Sequence, residues 1–317
     1  ARRQPARHAR FSASELREQA GDYERARAYF GRGGAERWPA YIAGTLTALQ
    51  QDFGLVLQHG FELVVASNVP EGMGVSSSAA VEVASMQALA AMFQREISAF
   101  ELALACQRVE NLVVGAPCGV MDQMTASAGH EGHLLELLCQ PASIQGRCRI
   151  PDELAVWGLD SGIRHQVSGA DYGDVRVAAF MGYRIIAEQL GLAVEPVAAG
   201  RVTVRDARYG GYLANIDPDD FARELEPLLP ERLGGSEFLA RYGGITDAVT
   251  RVAPETTYRV RAATAHPIYE HRRVRAFRDA LRLGCEPHVA RQLGELMYRA
   301  HASYSACGLG STCEIRS

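Results

Sequence analysis

The sequence contains no lysine: all 33 of its basic residues are arginine. A Walker A loop ends in a lysine that reaches the nucleotide phosphates, and a protein kinase places a strand lysine on them. Both nucleotide-binding classes are therefore excluded. Long apolar runs are missing as well; stretches such as Gln87–Phe93 are far too short to span a bilayer. Neither sign of charge is in large excess. A net charge of −4 offers no basic face for nucleic acid and no attraction to anionic lipid, so neither is expected as a partner. The seven cysteines include no CxxC pair, and their odd number and scatter read as reduced thiols rather than a disulfide framework. The first thirty residues are rich in Arg and Glu without an apolar h-region, so a secretory leader is not expected and a cytoplasmic location is.

What is present suits a folded protein of two ordinary domains: 317 residues, 47% of them apolar and 22% charged. The pattern predicts helices over 14–30, 38–53, 76–93 and 99–114, the last stopped by Gly115-Ala116-Pro117. Phe61–Ser67, Leu134–Leu138 and Ala155–Leu159 are apolar and β-rich, and read as strands, the last two buried. Longer helices follow at 175–190, 221–229, 274–283 and 288–303. The change of texture after Asp160-Ser161-Gly162 places a domain boundary near 160–170, giving domains over 1–165 and 166–317. The fold class is mixed α/β.

The most informative stretch is Pro70-Glu71-Gly72-Met73-Gly74-Val75-Ser76-Ser77-Ser78-Ala79-Ala80. It follows a strand-like run and opens a helix. Gly72 and Gly74 let backbone approach an anion closely, and Ser76, Ser77 and Ser78 stand where a helix start exposes unpaired N–H groups. A serine so placed can also ligate Mg²⁺. On the loop alone, a serine-rich N-cap on an ordinary helix stays open as an alternative.

An acidic pair lies downstream. Glu110 is near the end of one predicted helix, and Asp122 follows the turn Ala116-Pro117-Cys118-Gly119-Val120-Met121. Phosphoryl transfer to a hydroxyl needs one acid to hold a metal on the phosphates and another to take or orient the hydroxyl proton. Gly119 adds a backbone position that a substrate could touch closely. Taken alone, Glu110 reads first as a solvated helix-face residue and Asp122 as an N-cap.

The loop 70–80, with its Gly-Val-Ser-Ser-Ser-Ala core, resembles the second motif of the GHMP kinases, the superfamily of galactokinase, homoserine kinase and mevalonate kinase. The run from Glu110 through Cys118-Gly119-Val120-Met121-Asp122-Gln123 resembles its galactokinase branch. So do Asp160–His165 with Asp171-Tyr172-Gly173 and Val175-Arg176. A narrower resemblance to the L-arabinokinases comes from Tyr23–Arg27 with Trp38–Gly44, and from Val113–Gln123 and Trp157–His165. His266–Glu270 and Tyr304–Ser311 add to it.

The resemblance implies a two-domain α/β fold with nucleotide and sugar in the interdomain cleft. It implies ATP and Mg²⁺ as cofactors, and a small sugar as partner. Gly72, Gly74, Ser76, Ser77 and Ser78 would bind the nucleotide, with Ser78 and Glu110 on the metal. Asp122 would be the catalytic base, and Gly119, Asp122 and Tyr172 would meet the sugar. The implied reaction converts ATP and a free sugar, L-arabinose before galactose, into a sugar 1-phosphate and ADP.

Two departures accompany the match. The family's first motif, a Gly-Arg strand followed by an acidic segment ending in Asp-Tyr, is not in the sequence, and Thr312–Ser317 leaves the family pattern after Cys307–Ser311. The chain is accordingly expected to be a fragment with weak or no turnover. Galactokinase activity and non-catalytic binding of sugar or nucleotide stand as alternatives; a homoserine-type kinase fits the loop but not the Cys-Gly-Val-Met-Asp-Gln run. Other features are read as structural or solvated. These are His130 and His133, Cys118, the arginines at 2, 3, 7 and 10, and the Gly31-Arg32-Gly33-Gly34 loop, which follows no strand.

Overall fold

The computed structural model describes residues 8–19, 21–31, 38–159 and 170–309. The expected blocks at 1–7, 32–34, 160–165 and 310–317 lie outside the described residues. The chain divides into two compact units, the first reaching Gly129 and the second starting at His130.

The first unit is helical. Its elements are α1 (Ala13–Gln19), α2 (Tyr23–Gly31), α3 (Trp38–Phe53), α4 (Ser77–Met92), α5 (Ala99–Arg108) and α6 (Met121–Ala128). A π-helical turn, Val109–Val114, continues α5. The single helix expected over 14–30 is thus two. The Tyr23 hydroxyl donates to Asp52 at 2.6 Å, and Arg108 Nε and Nη2 donate to the same carboxylate oxygen at 2.9 and 2.7 Å, tying α2, α3 and α5 together. A capping box starts α5: Ser98 Oγ accepts from the Glu101 amide, and Glu101 accepts from the Ser98 amide. Leu46, Leu49, Met86, Leu89, Leu102, Cys106, Val109 and Val113 form the core that these helices share.

Gly44 sets how closely α3 meets the π turn. A Cβ there would lie 2.7 Å from Val109 Cγ1 and 3.2 Å from Val113 Cγ1, so only glycine lets the two backbones meet at this distance.

The second unit opens with an antiparallel hairpin, β1 (His133–Cys139) and β2 (Ala142–Arg149), whose register shifts between Glu136 and Leu137. The 20-residue α7 (Ala170–Gln189) leads to β3 (Ala193–Ala198) and β4 (Gly200–Arg205). The one-turn α8 (Pro218–Asp220) is capped by Asp217, and α9 (Gly235–Tyr242) and the two long helices α10 (Val260–Arg282) and α11 (Pro287–Ala306) follow, with two-residue strands at Leu233–Gly234, Gly244–Ile245 and Thr257–Tyr258 between them. Met181, Ile185, Ile186, Phe221, Phe238, Tyr258 and Ile268 fill its core. Two of the family-like blocks have packing duties here. His266 Nδ1 meets Ser303 Oγ at 2.9 Å across α10 and α11, and Arg176 pairs with Asp247. Among the described residues no helix is long and apolar enough to cross a membrane.

Two strand expectations fail. Phe61–Ser67 and Ala155–Leu159 belong to no strand of the described residues, and Val64, Trp157 and Leu159 are 91, 84 and 94% exposed. Leu134–Leu138 is a strand, within β1, although half-exposed rather than buried. β-rich composition suits a pleated surface, but a strand forms only where a neighbour offers its backbone groups.

Candidate active site

The chain turns left-handed three times before α4, at Gly72 (φ 72°), Gly74 (φ 69°) and Ser76 (φ 60°). Glycine adopts this freely; at Ser76 it is uncommon and marks a constrained corner. Ser76 takes the N-cap position of α4, yet its side chain makes no capping hydrogen bond. The N-cap alternative left open by the sequence is met in position alone, without the side-chain bond that makes a cap. The first amides of the helix are unclaimed by a capping side chain, at the end where the dipole favours an anion.

Glu110 falls in the π turn, a distortion that often re-aims a functional side chain. Its backbone carbonyl accepts from the amides of Gly115 and Ala116, at 2.9 and 3.0 Å, which closes the turn. The side chain is 2% exposed, so it is not a solvated helix-face residue. Gln123 Nε2 donates to Glu110 Oε2 at 2.6 Å, and the Ser78 hydroxyl and Cys118 thiol are within hydrogen-bonding reach. Burial raises the Glu110 pKa above the usual carboxylate range. The negative charge of Asp122 adds to this, while Ser78, Cys118 and Gln123 act against it.

Asp122 stands in the first turn of α6, one residue inside the helix; Val120 holds the N-cap position. The turn before it is fixed by Asn111, whose Oδ1 accepts from the Cys118 amide at 3.0 Å and whose Nδ2 donates to the Cys118 carbonyl at 3.3 Å. That clamp presents Gly119, which is exposed, and a Cβ built on it would meet nothing within 4 Å. The structure thus brings Ser78, Glu110 and Asp122 together in the first unit, on α4, the π turn and α6. Tyr172 lies on α7 of the second unit. His130 and His133 are exposed.

Sequence reading missed one acid. Glu82 lies one turn beyond Ser78 on the same face of α4 and is 0% exposed. Burial, then the charge of Glu110, raises its pKa well above normal, against a lowering hydrogen bond from Gln123. The signal was available, since Glu82 is the only charged residue in α4, a helix otherwise built of small, apolar and neutral polar residues.

Residues 40–130 match the family model described as the GHMP kinases N terminal domain. The structure resembles the crystal structure of Lactococcus lactis galactokinase complexed with galactose. The TM-score is 0.62 at 19% identity, over 87% of this chain and 58% of that one. Its fold is accordingly the mixed α/β fold of that protein, and its residues 40–130 match the N-terminal domain of the GHMP kinases. More narrowly, it is 43% identical over 302 residues to L-arabinokinase of Arabidopsis thaliana, across 91% of this chain and 29% of that relative. The chain therefore spans less than a third of the length of the curated relative it matches.

Proposed function

We propose that this chain transfers the γ-phosphoryl group of ATP to the anomeric hydroxyl of a monosaccharide, L-arabinose before galactose, giving a sugar 1-phosphate and ADP. The observation that carries this reading is the buried Glu110 carboxyl, with the Ser78 hydroxyl and the Asp122 charge beside it, at an uncapped helix start entered through glycine turns. Its support from outside the site is the 43% identity to L-arabinokinase.

Each group has a role in that reaction. The open amides after Gly72 and Gly74, at Ser76, Ser77 and Ser78, hold phosphate oxygens. Ser78 and Glu110 are hard oxygen donors, and the groups acting on Glu110 include no cation, so this donor set fits Mg²⁺. Magnesium, when bound with the nucleotide, neutralises phosphate charge. Asp122 accepts or orients the proton of the attacking hydroxyl at its carboxylate oxygen. Exposed Gly119 leaves room for a sugar edge, and Tyr172 is assigned to the sugar by resemblance. The division into family domains at 1–165 and 166–317 belongs to the same proposal; the compact units divide earlier, so the two divisions differ mainly over 130–161.

The test is sugar-dependent ADP release with Mg-ATP, offering L-arabinose, galactose and glucuronate in turn. Release with L-arabinose, slow for want of the family's first motif and lowered about 10²–10⁴-fold further by Asp122→Asn, is the expected result. Galactose preferred over arabinose would move the substrate. ATP binding with no sugar-dependent release would replace the kinase reading by a non-catalytic binder.

A further inference from the structure

Glu82 is fully buried on α4, and its Oε2 accepts from Gln123 Nε2 at 3.4 Å. The same amide nitrogen donates to Glu110 Oε2 at 2.6 Å. One –NH₂ group carries two hydrogens, so it can bridge two carboxyl groups at once. Gln123 is itself 0% exposed. Two atoms of this group remain buried without a partner, Glu82 Oε1 and Gln123 Oε1.

Packing alone does not account for Glu82. A buried carboxyl with an unpaired oxygen is destabilising, and leucine or methionine would fill the same volume without that penalty. The two orphaned oxygens, however, answer each other. A neutral carboxyl has an O–H to donate and a carbonyl to accept; a side-chain amide has the complementary N–H and C=O. Paired carboxyl to amide, Glu82 and Gln123 satisfy both orphans and leave the second Gln123 hydrogen aimed at Glu110. The partners acting on Glu82 are consistent with a neutral form: burial first, then like charge from Glu110.

We infer that Glu82 is a positioning residue: it pairs with the Gln123 amide and so fixes the nitrogen that orients the Glu110 carboxyl toward Ser78. Glu82 itself touches no substrate. As far as it concerns metal and nucleotide, the inference rests on the kinase reading; the Glu82–Gln123 pair does not.

Two readouts keep these separate. The first is metal-independent: the side-chain amide signals of Gln123 in ¹⁵N-labelled protein, followed in Glu82→Gln and Glu82→Met. The pair predicts slowly exchanging Gln123 amide protons in the native chain and in Glu82→Gln, where an amide–amide pair replaces acid–amide. It predicts fast exchange in Glu82→Met. The second is binding of Mn²⁺–ADP by calorimetry. Glu82→Met is expected to weaken it about 10–100-fold, the usual loss when a group supporting a ligand is removed, while Glu82→Gln restores most of it. Gln123→Met should cost as much, and the double variant no more than Gln123→Met alone, because both act through one contact.

Additive losses in the double variant, or Gln123 signals and Mn²⁺–ADP affinity unchanged in a folded Glu82→Met, would overturn the inference and leave Glu82 a packing residue. If the native chain binds no Mn²⁺–ADP, the kinase reading falls. The amide signals then decide alone whether Glu82 holds Gln123.

Discussion

Each unit buries an acid, and the two acids are treated in opposite ways. Asp247, in the second unit, is 4% exposed; burial pushes its pKa up, but Arg176 more than reverses this and holds it below the usual range. Arg176 Nε and Nη2 donate to its two oxygens at 2.7 and 2.9 Å, and the amides of Val249 and Thr250 and the Thr250 hydroxyl also donate to it. Glu110, 2% exposed in the first unit, has neutral partners and a like charge beside it, and its pKa is raised. Glu82 repeats the pattern. A buried carboxylate matched by a bidentate arginine is a finished structural joint. A buried carboxyl with hydroxyl, thiol and amide neighbours is still short of positive charge, which is where function is to be sought.

The comparison breaks most visibly from the second unit. Arg176→Met would turn Asp247 into an unmatched buried charge, and we expect about 3–5 kcal/mol lost in chemical denaturation. The same step in the first unit has the reverse sign. Glu110→Gln removes a carboxyl that lacks a cation, so the nucleotide-free protein should melt no lower than the native chain. Sugar-dependent turnover should nonetheless fall at least about 100-fold. A large loss of stability in Glu110→Gln would mean that Glu110 is a structural joint like Asp247.

Gly44→Ala sharpens the comparison from the packing side. Its methyl would press on Val109, the neighbour of Glu110, and should cost about 1–3 kcal/mol by thermal unfolding.

The smallest effect is a slope with pH. The Glu82 pKa is raised from its ordinary 4.5, so its relative stabilisation is complete below that value and is lost as pH rises above it. The Asp247 pKa is lowered from 3.8, so its contribution is present above that value and is lost as pH falls through the folded pKa. Glu110, Gln123 and Cys106 share the surroundings of Glu82, and Glu110 adds to the same decline. Denaturant midpoints from pH 4.5 to 8 should fall for the native chain and fall less for Glu82→Gln. An identical slope in both would place the Glu82 pKa at its ordinary value.

Much of this site could be read along the chain. Glycine turns, three hydroxyls and a small-residue helix are local features, and Ser76–Ser78 stand where the sequence put them. Ser78, Glu110 and Asp122 were brought to one site by the family resemblance; residue type and spacing alone did not show their meeting, because it depends on how α4, the π turn and α6 pack. Whether Glu110 faced water or the core was equally open: a π turn has no distinct periodicity, and one residue of extra winding decides which way a side chain points. Phe61–Ser67 and Ala155–Leu159 show the reverse error. Their β-rich composition was read as strand, while pairing, a long-range property, was assumed.

The sequence by itself determined the absence of a lysine-based nucleotide site, the glycine- and serine-rich loop before α4, the identity of the acids and the positions of most helices, since these rest on composition and near neighbours. Tertiary structure decided which acids are buried, that Gln123 bridges Glu82 and Glu110, that Arg176 answers Asp247, and that only glycine fits at 44. Those outcomes depend on groups brought together from 13 to 71 residues apart, as Gln123 with Glu110 and Arg176 with Asp247 mark the limits. The energy of a buried charge is set by whatever arrives beside it, which no local stretch of sequence contains.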